Sequence, residues 1–379
     1  MYASTLPAGA RNAITDVEGV RVGHHTLDSG EGAAGSGWRP GHGPFRTGVT
    51  VILPHGENLY EAKVAAAVHT INGFGKAAGF EQVRELGTIE TPIALTGTMN
   101  VPRVADALMT IAAEQSPHIG VGFAETGWGG YASVNPVVGE TSDGYLSDLQ
   151  ARPVGLAEVR AALSSASADV VEGAVGAGMG TSCFGWKGGI GTASRVLPAE
   201  KGDYTVGALV QTNFGRPEEL TVCGVPVGKY LRPPAADGRP QSSEALSSVV
   251  SGPLSSALGG SIMMILATDA PLDARGLERM CRRAAFGLAR TGSTGHGSSG
   301  DFVIAFSTAA RIYDRPETPL VPRGVIDEQP IMGWLSVAVI EGIEEAIYNS
   351  LLMARTVVGR NGHVRHALPP DEVARIVWS

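Results

Sequence analysis

Cysteine is scarce in this chain. Its three residues (Cys183, Cys223 and Cys281) are an odd number with no CxxC spacing. That excludes a disulfide framework and a cysteine-based zinc site, and it fits a reducing compartment. Positive charge is not in excess either: the formal net charge is −8, which argues against nucleic acid as the main partner. No run of 18 apolar residues occurs, so no segment is expected to span a membrane. Residues 1–10 lack the basic head and apolar segment of a secretory signal. A soluble, cytoplasmic protein is the expectation.

Familiar catalytic and nucleotide motifs are missing as well. The stretch Gly189-Ile190-Gly191-Thr192-Ala193-Ser194 falls one glycine short of GxGxxG and has no evident ribose-binding acid. Lys187 is followed by Gly188, so there is no phosphate loop of the GxxxxGK[ST] kind. No GxSxG, SxxK or HExxH occurs. His24 and His25 are adjacent on a strand-like segment and would point to opposite faces, while His363 and His366 lie in a polar tail. Neither a metal nor a cofactor is expected.

What the chain does have is glycine: 52 residues in short clusters without a collagen period, alongside 43% hydrophobic and 17% charged residues. This is a globular composition with many tight turns and close backbone contacts. Residues 1–379 read as one folding unit with no internal repeat. The segment Asn12–His24 reads as strand, turn and strand, and Gly48–Pro54 as a strand. Val64, Ala67, Val68 and Ile71 have helical spacing, after a cap at Asn58. Short helices are predicted over Ala77–Leu86, Val101–Glu114 and Gly155–Ala166. Strands are predicted at Ile93–Leu95, Asp169–Val175, Thr205–Asn213, Leu220–Tyr230 and Phe302–Phe306. Leu272–Arg290 reads as a basic amphipathic helix and Trp334–Val358 as a long one. Residues 233–252 are rich in Pro, Ser and Ala and read as an exposed linker. Strands that follow one another through short turns favour antiparallel sheets with helices outside.

That linker runs into Gly259-Gly260-Ser261 and the apolar run Ile262–Ala267. Taken alone, this is an ordinary glycine turn entering a core strand. It also has the parts needed for self-cleavage: a backbone free of side chains and a hydroxyl held at the root of a buried strand.

Several blocks raise the second reading. Asn12–His24, Asn72–Gly79, Glu85–Ile93, Cys183–Arg195, Gln211–Gly215, Gly260-Ser261 with Ala267–Leu272, and Ser298–Asp301 occur in one order along nearly the whole chain. Together they resemble the self-processing serine aminopeptidases of the DmpA type, which include L-aminopeptidase/D-amidase-esterases and β-peptidyl aminopeptidases. The resemblance implies an α+β fold, an α/β/β/α sandwich of antiparallel sheets between helical layers. It implies a hydrolase that cuts itself between Gly260 and Ser261, leaving pieces 1–260 and 261–379 associated. The freed α-amine of Ser261 then serves as base for its own hydroxyl, which removes the need for a histidine triad. Asn213 corresponds to the oxyanion-stabilising asparagine. Ser299 and Asp301 correspond to a pair that holds the nucleophile or its amine, although the family often has glutamate where Asp301 stands. Glu140 corresponds to the acid that holds the substrate ammonium. Tyr145 is the candidate active-site phenol, with Ser142 the alternative alignment. Expected substrates are short peptides, amides or esters with a free amine, and the expected assembly is a homo-tetramer of processed units. The Gly176–Gly191 cluster reads as close backbone packing around the cleft, and Arg195 as either a carboxylate partner or a surface residue. The competing functions are an N-acetyltransferase of the same fold type, which would use threonine as nucleophile, and a non-catalytic scaffold without processing.

Overall fold

The computed structural model describes residues 4–32, 38–121, 132–234, 260–314, 324–327 and 329–378. Gly259 and all of the expected linker beyond residue 234 lie outside these. In chain order the elements are β1 (Arg21–Ser29), β2 (Phe45–Leu53), β3 (Ala62–Gly73), α1 (Phe80–Leu86), β4 (Thr88–Ile89), β5 (Ile93–Gly97), α2 (Val101–Gln115), β6 (Val137–Thr141) and α3 (Leu156–Ser164). They continue with β7 (Ser182–Cys183), β8 (Trp186–Lys187), β9 (Ile190–Val196), β10 (Thr205–Asn213), β11 (Ser261–Thr268), α4 (Ala274–Arg290), β12 (Gly300–Tyr313), α5 (Met332–Leu352), β13 (Val357–Val358), β14 (Val364–Arg365) and α6 (Pro370–Val377).

Two sheets stack between helices. One has the order β1-β2-β5-β6 and the other β4-β3-β12-β11-β10-β9. Most neighbours are antiparallel, but β5–β6 and β11–β12 are parallel. The alternation of side chains along β11 sets up the layers. Met263, Ile265 and Ala267 join Ile52, Leu95 and Val137 in the core between the sheets. Ile262, Met264 and Leu266 face the other way, into a core with Leu277 and Met280 of α4 and Leu335 and Val339 of α5. On the far side, Val49, Val51 and Ala94 pack against Val104 and Leu108 of α2 and Val159 of α3. The α/β/β/α sandwich is therefore present as expected.

Several elements differ from the sequence reading. The helix expected over Val64–Ile71 is the 12-residue strand β3. Both its faces are covered: Val64, Ala66 and Val68 lie between the sheets, and Ala67 joins the helix-side core. A strand buried on both faces loses the polar alternation that marks it as a strand. Asp169–Val175 and Leu220–Tyr230 are not strands; each contributes one isolated bridge, Gly173 with Ile190 and Val222 with Val225. The opening segment is a 3-10 turn (Ile14–Asp16) followed by β1, not two strands. The long helix expected to reach Val358 is α5, which stops at Leu352, and the tail beyond it carries the short helix α6. Among the described residues, no helix is long and apolar enough to cross a membrane.

The glycine cluster packs backbone against backbone. A Cβ on Gly189 would sit 1.9 Å from Gly173 O, and one on Gly191 would sit 1.9 Å from Ala346 O. Lys187 is fully buried and spends its ammonium on the carbonyls of Gly178 and Gly188, each at 2.8 Å. Arg195 is a buried carboxylate partner: its Nε lies 3.2 Å from Glu341 and its guanidinium 2.6 Å from Glu345, both on α5.

Glu172 near the same helix makes stability depend on pH. Burial pushes its carboxyl up to about 7; the Thr192 N–H opposes this and Glu345 adds to it. Between about 4.5 and about 7 the folded state keeps a proton that the unfolded chain releases. Stability is therefore expected to fall as pH rises through that window. The loss should be on the order of 1–2 kcal/mol, allowing for partial exposure. Glu172→Gln keeps the acceptor for Thr192 N and should remove that part of the slope. Urea melts of both proteins at pH 5 and pH 7.5 check this, and an unchanged slope in the variant would contradict it.

Candidate active site

Ser261 opens β11, and strand register determines what surrounds it. It lies opposite Asn213, the last residue of β10, and beside Gly300, the first residue of β12. The odd-numbered face of β11 points between the sheets, so the hydroxyl faces the end of β6 in the opposing sheet. There the Ser142 N–H donates to Ser261 Oγ at 3.3 Å. Asn213 Nδ2 donates to the same oxygen at 3.4 Å. The Ser182 N–H donates to Asn213 Oδ1 at 3.1 Å, which turns the amide so that its NH₂ faces the Ser261 hydroxyl. Ser261 itself is 5% exposed.

Gly260 is held tightly. Its carbonyl accepts the Gly300 N–H at 3.0 Å. A Cβ there would come 3.1 Å from Ser299 Oγ and 3.2 Å from Phe214 Cβ. The Ser299 hydroxyl donates to Asp301 Oδ1 at 2.5 Å, so its lone pairs remain for the Gly260–Ser261 peptide beside it. Asn72 Nδ2 donates to the other Asp301 oxygen at 2.7 Å. Although shorter than glutamate, Asp301 reaches its serine, because both leave the same turn at the start of β12. Burial pushes the Asp301 carboxyl above its ordinary value; Ser299, Asn72 and His296 pull it down in part.

Glu140 sits on β6 opposite Thr96 of β5 and is 4% exposed. Its Oε1 accepts the Lys76 N–H at 2.9 Å. It also lies where a Cβ on Gly75 would come within 3.1 Å, while that same Cβ would be 3.5 Å from Gly300 Cα. The acid thus borders the strand ends that carry Ser261. Burial raises its pKa, against the opposing pull of the Lys76 N–H, the Lys76 charge and the Thr98 hydroxyl. The result is a buried carboxylate bordering the Ser261 strand end, suited to a cationic group.

Tyr145 has a different setting. Its ring stacks on His363, with centroids 4.6 Å apart, and the Arg365 guanidinium lies 3.5 Å from the ring centroid. Arg365 in turn donates to Ser182 Oγ at 2.9 Å. Tyr145 therefore connects to Asn213 through Arg365 and Ser182, whereas Ser142, the alternative alignment, contacts Ser261 Oγ directly through its backbone N–H. Sequence reasoning did not single out the donors Ser142 N–H and Gly300 N–H, nor Asn72 and Ser182. Backbone donors have no residue-type signature; Asn72 and Gly300 lie in the Asn72–Gly79 and Ser298–Asp301 blocks and Ser142 is the alternative alignment, whereas Ser182 lies outside every block.

The chain is similar to known proteins over nearly its whole length. The chain is 39% identical over 375 residues to beta-peptidyl aminopeptidase BapA of Sphingosinicella xenopeptidilytica, covering 97% of this chain and 87% of that protein. The solved beta-aminopeptidase of Burkholderia sp. superposes with a TM-score of 0.82 at 38% identity, covering 99% of this chain and 96% of that one. The L-aminopeptidase D-Ala-esterase/amidase of Ochrobactrum anthropi, described as a prototype serine aminopeptidase and a variant of the Ntn hydrolase fold, gives 0.83 at 33% identity, covering 100% and 96%. Residues 12–365 match the pattern of one peptidase family over the span that carries every residue of the site, and the chain belongs to peptidase family S58.

Proposed function

We propose that this protein is an aminopeptidase that cuts itself before Ser261 and then removes N-terminal residues from short peptides, amides or esters. The observation that carries the reading is the paired donation of Ser142 N–H and Asn213 Nδ2 to Ser261 Oγ, with Ser299 beside Gly260 and bonded to Asp301. In the first reaction Ser261 Oγ attacks the Gly260 carbonyl carbon, polarised by the Gly300 N–H. The bond to Ser261 N breaks, and that nitrogen takes the hydroxyl proton. Water then hydrolyses the ester, giving a Gly260 carboxylate and restoring the hydroxyl. The new α-amine, of a kind that ordinarily titrates at about 7.7–8.0, is partly neutral near neutral pH and serves as base. Ser299, its proton committed to Asp301, supplies an acceptor that orients this amine.

In turnover the same oxygen attacks the substrate carbonyl, the amine relays its proton to the leaving nitrogen, and water releases the acyl group. Asn213 Nδ2 and Ser142 N–H lie close enough to donate to the oxyanion. Glu140 pairs the substrate ammonium, which explains a requirement for a free amine. Tyr145 orients Asn213 through Arg365 and Ser182. The pieces 1–260 and 261–379 stay together because β11 hydrogen-bonds β10, and β12 hydrogen-bonds β3. By resemblance to the family we take the working assembly to be four processed units; a cytoplasmic setting without a nucleic-acid partner is in line with the net charge of −8 and the composition. Mass spectrometry of the purified protein should find a fragment starting at Ser261, and alanyl p-nitroanilide should be cut while its N-acetyl form is not. An unbroken chain, or equal hydrolysis of both anilides, would overturn the reading.

A further inference from the structure

Lys76 places a second charge beside Glu140. It is exposed, and its Nζ donates to the Thr98 hydroxyl at 2.8 Å. Its own backbone N–H is bonded to Glu140 Oε1. Among the described residues the ammonium makes no ion pair within 4 Å, yet its charge acts on Glu140, as does Thr98. A direct Lys–Glu pair would neutralise both groups. Held apart by one hydroxyl, the two charges are left to a ligand that offers an ammonium to Glu140 and an anion to Lys76 a bond or two away.

We propose that Glu140 and Lys76 together recognise an amino-acid zwitterion, so that the preferred N-terminal residue is β-aspartyl: joined to the rest of the peptide through its side-chain carboxyl, with its α-amine and α-carboxylate both free. This inference rests on Glu140 as the ammonium site. The chemistry of the residue fits the pair. A β-aspartyl residue is a β-alanyl residue with a carboxylate added on the amine-bearing carbon. The number of bonds from amine to scissile carbonyl is therefore the same, and Ser261 reaches the same carbon. Attack transfers the β-aspartyl group to Ser261 Oγ and frees the amine of the next residue; water then releases aspartate. An ordinary α-aspartyl residue puts its free carboxylate one carbon further from the amine and its scissile carbonyl one carbon closer, and does not match the pair.

The test compares three unblocked p-nitroanilides on the processed enzyme: β-alanyl, β-aspartyl with the α-carboxylate free, and β-aspartyl with that group as carboxamide. The carboxylate form should exceed the carboxamide in kcat/KM by about tenfold or more, the scale of one charge-assisted hydrogen bond. Lys76→Met should bring that ratio near one, and Lys76→Arg should keep most of it. Because Lys76 is exposed, gels showing normal processing of each variant keep the comparison valid. If β-alanyl anilide is cut but the wild-type ratio is one or less, or if Lys76→Met leaves it unchanged, this inference falls and the aminopeptidase reading stands. If none of the three, nor alanyl anilide, is cut, both fall.

Discussion

Ser261→Ala is expected to leave a single uncut chain of 379 residues with a loss of at least ~10⁴-fold in amide hydrolysis, the order seen when a covalent nucleophile is removed. The wild-type protein should instead give pieces of 260 and 119 residues (379 − 260 = 119). The substitution deletes one oxygen and frees only two long hydrogen bonds, from Ser142 N and Asn213 Nδ2. The surrounding β11 register and both cores are untouched, so circular dichroism and thermal melting should match an uncut reference. A denaturing gel reads the first result and an anilide assay the second. Two normal fragments from the alanine variant would place the nucleophile elsewhere. A cut chain that stays active without Ser261 would remove the amine–hydroxyl partnership altogether.

The second large effect is expected at Asn213. Replacing it by alanine removes the side-chain donor aimed at Ser261 and should lower kcat by roughly 10²–10³-fold, with a smaller change in KM. Asn213→Asp separates chemistry from shape. It keeps the acceptor that receives the Ser182 N–H but turns the donor into a negative oxygen, which repels a developing oxyanion. It should therefore be at least as impaired as the alanine variant and slower to cut itself. Single-turnover measurements on processed protein distinguish slow chemistry from slow maturation. Activity within twofold of wild type in Asn213→Asp would show that the amide does not stabilise charge in the transition state.

Much of the candidate site is legible because the proposed nucleophile, the asparagine and the Ser-x-Asp pair are side chains with distinct chemistry at strand ends. Ser261 stands out at a Gly-Gly-Ser boundary and Asn213 at the end of an apolar strand, and the fold brings them opposite each other in one register. Tyr145 shows the converse. Its phenol is equally eligible by sequence, but the turn after β6 carries it to His363 and Arg365 and leaves the backbone of Ser142 at the nucleophile. A one-dimensional reading orders residues; it does not say which of two near neighbours brings its backbone to Ser261.

The amino-acid sequence alone determined the class of protein. Its scarcity of cysteine and of apolar runs excluded frameworks and spans, its periodicities marked α2, α4, β10 and β11, and its glycine boundary marked the expected site of cleavage. Tertiary structure decided what depends on contact between distant segments. β3 became a strand because two layers cover its faces, whatever its helical spacing. The donors to Ser261 and Gly260 came from backbone at residues 142 and 300, whose N–H groups are the same in every residue and acquire a role only from where the chain passes. Lys76 gained its meaning in the same way, since a charge has no partner until folding brings Glu140 and Thr98 beside it.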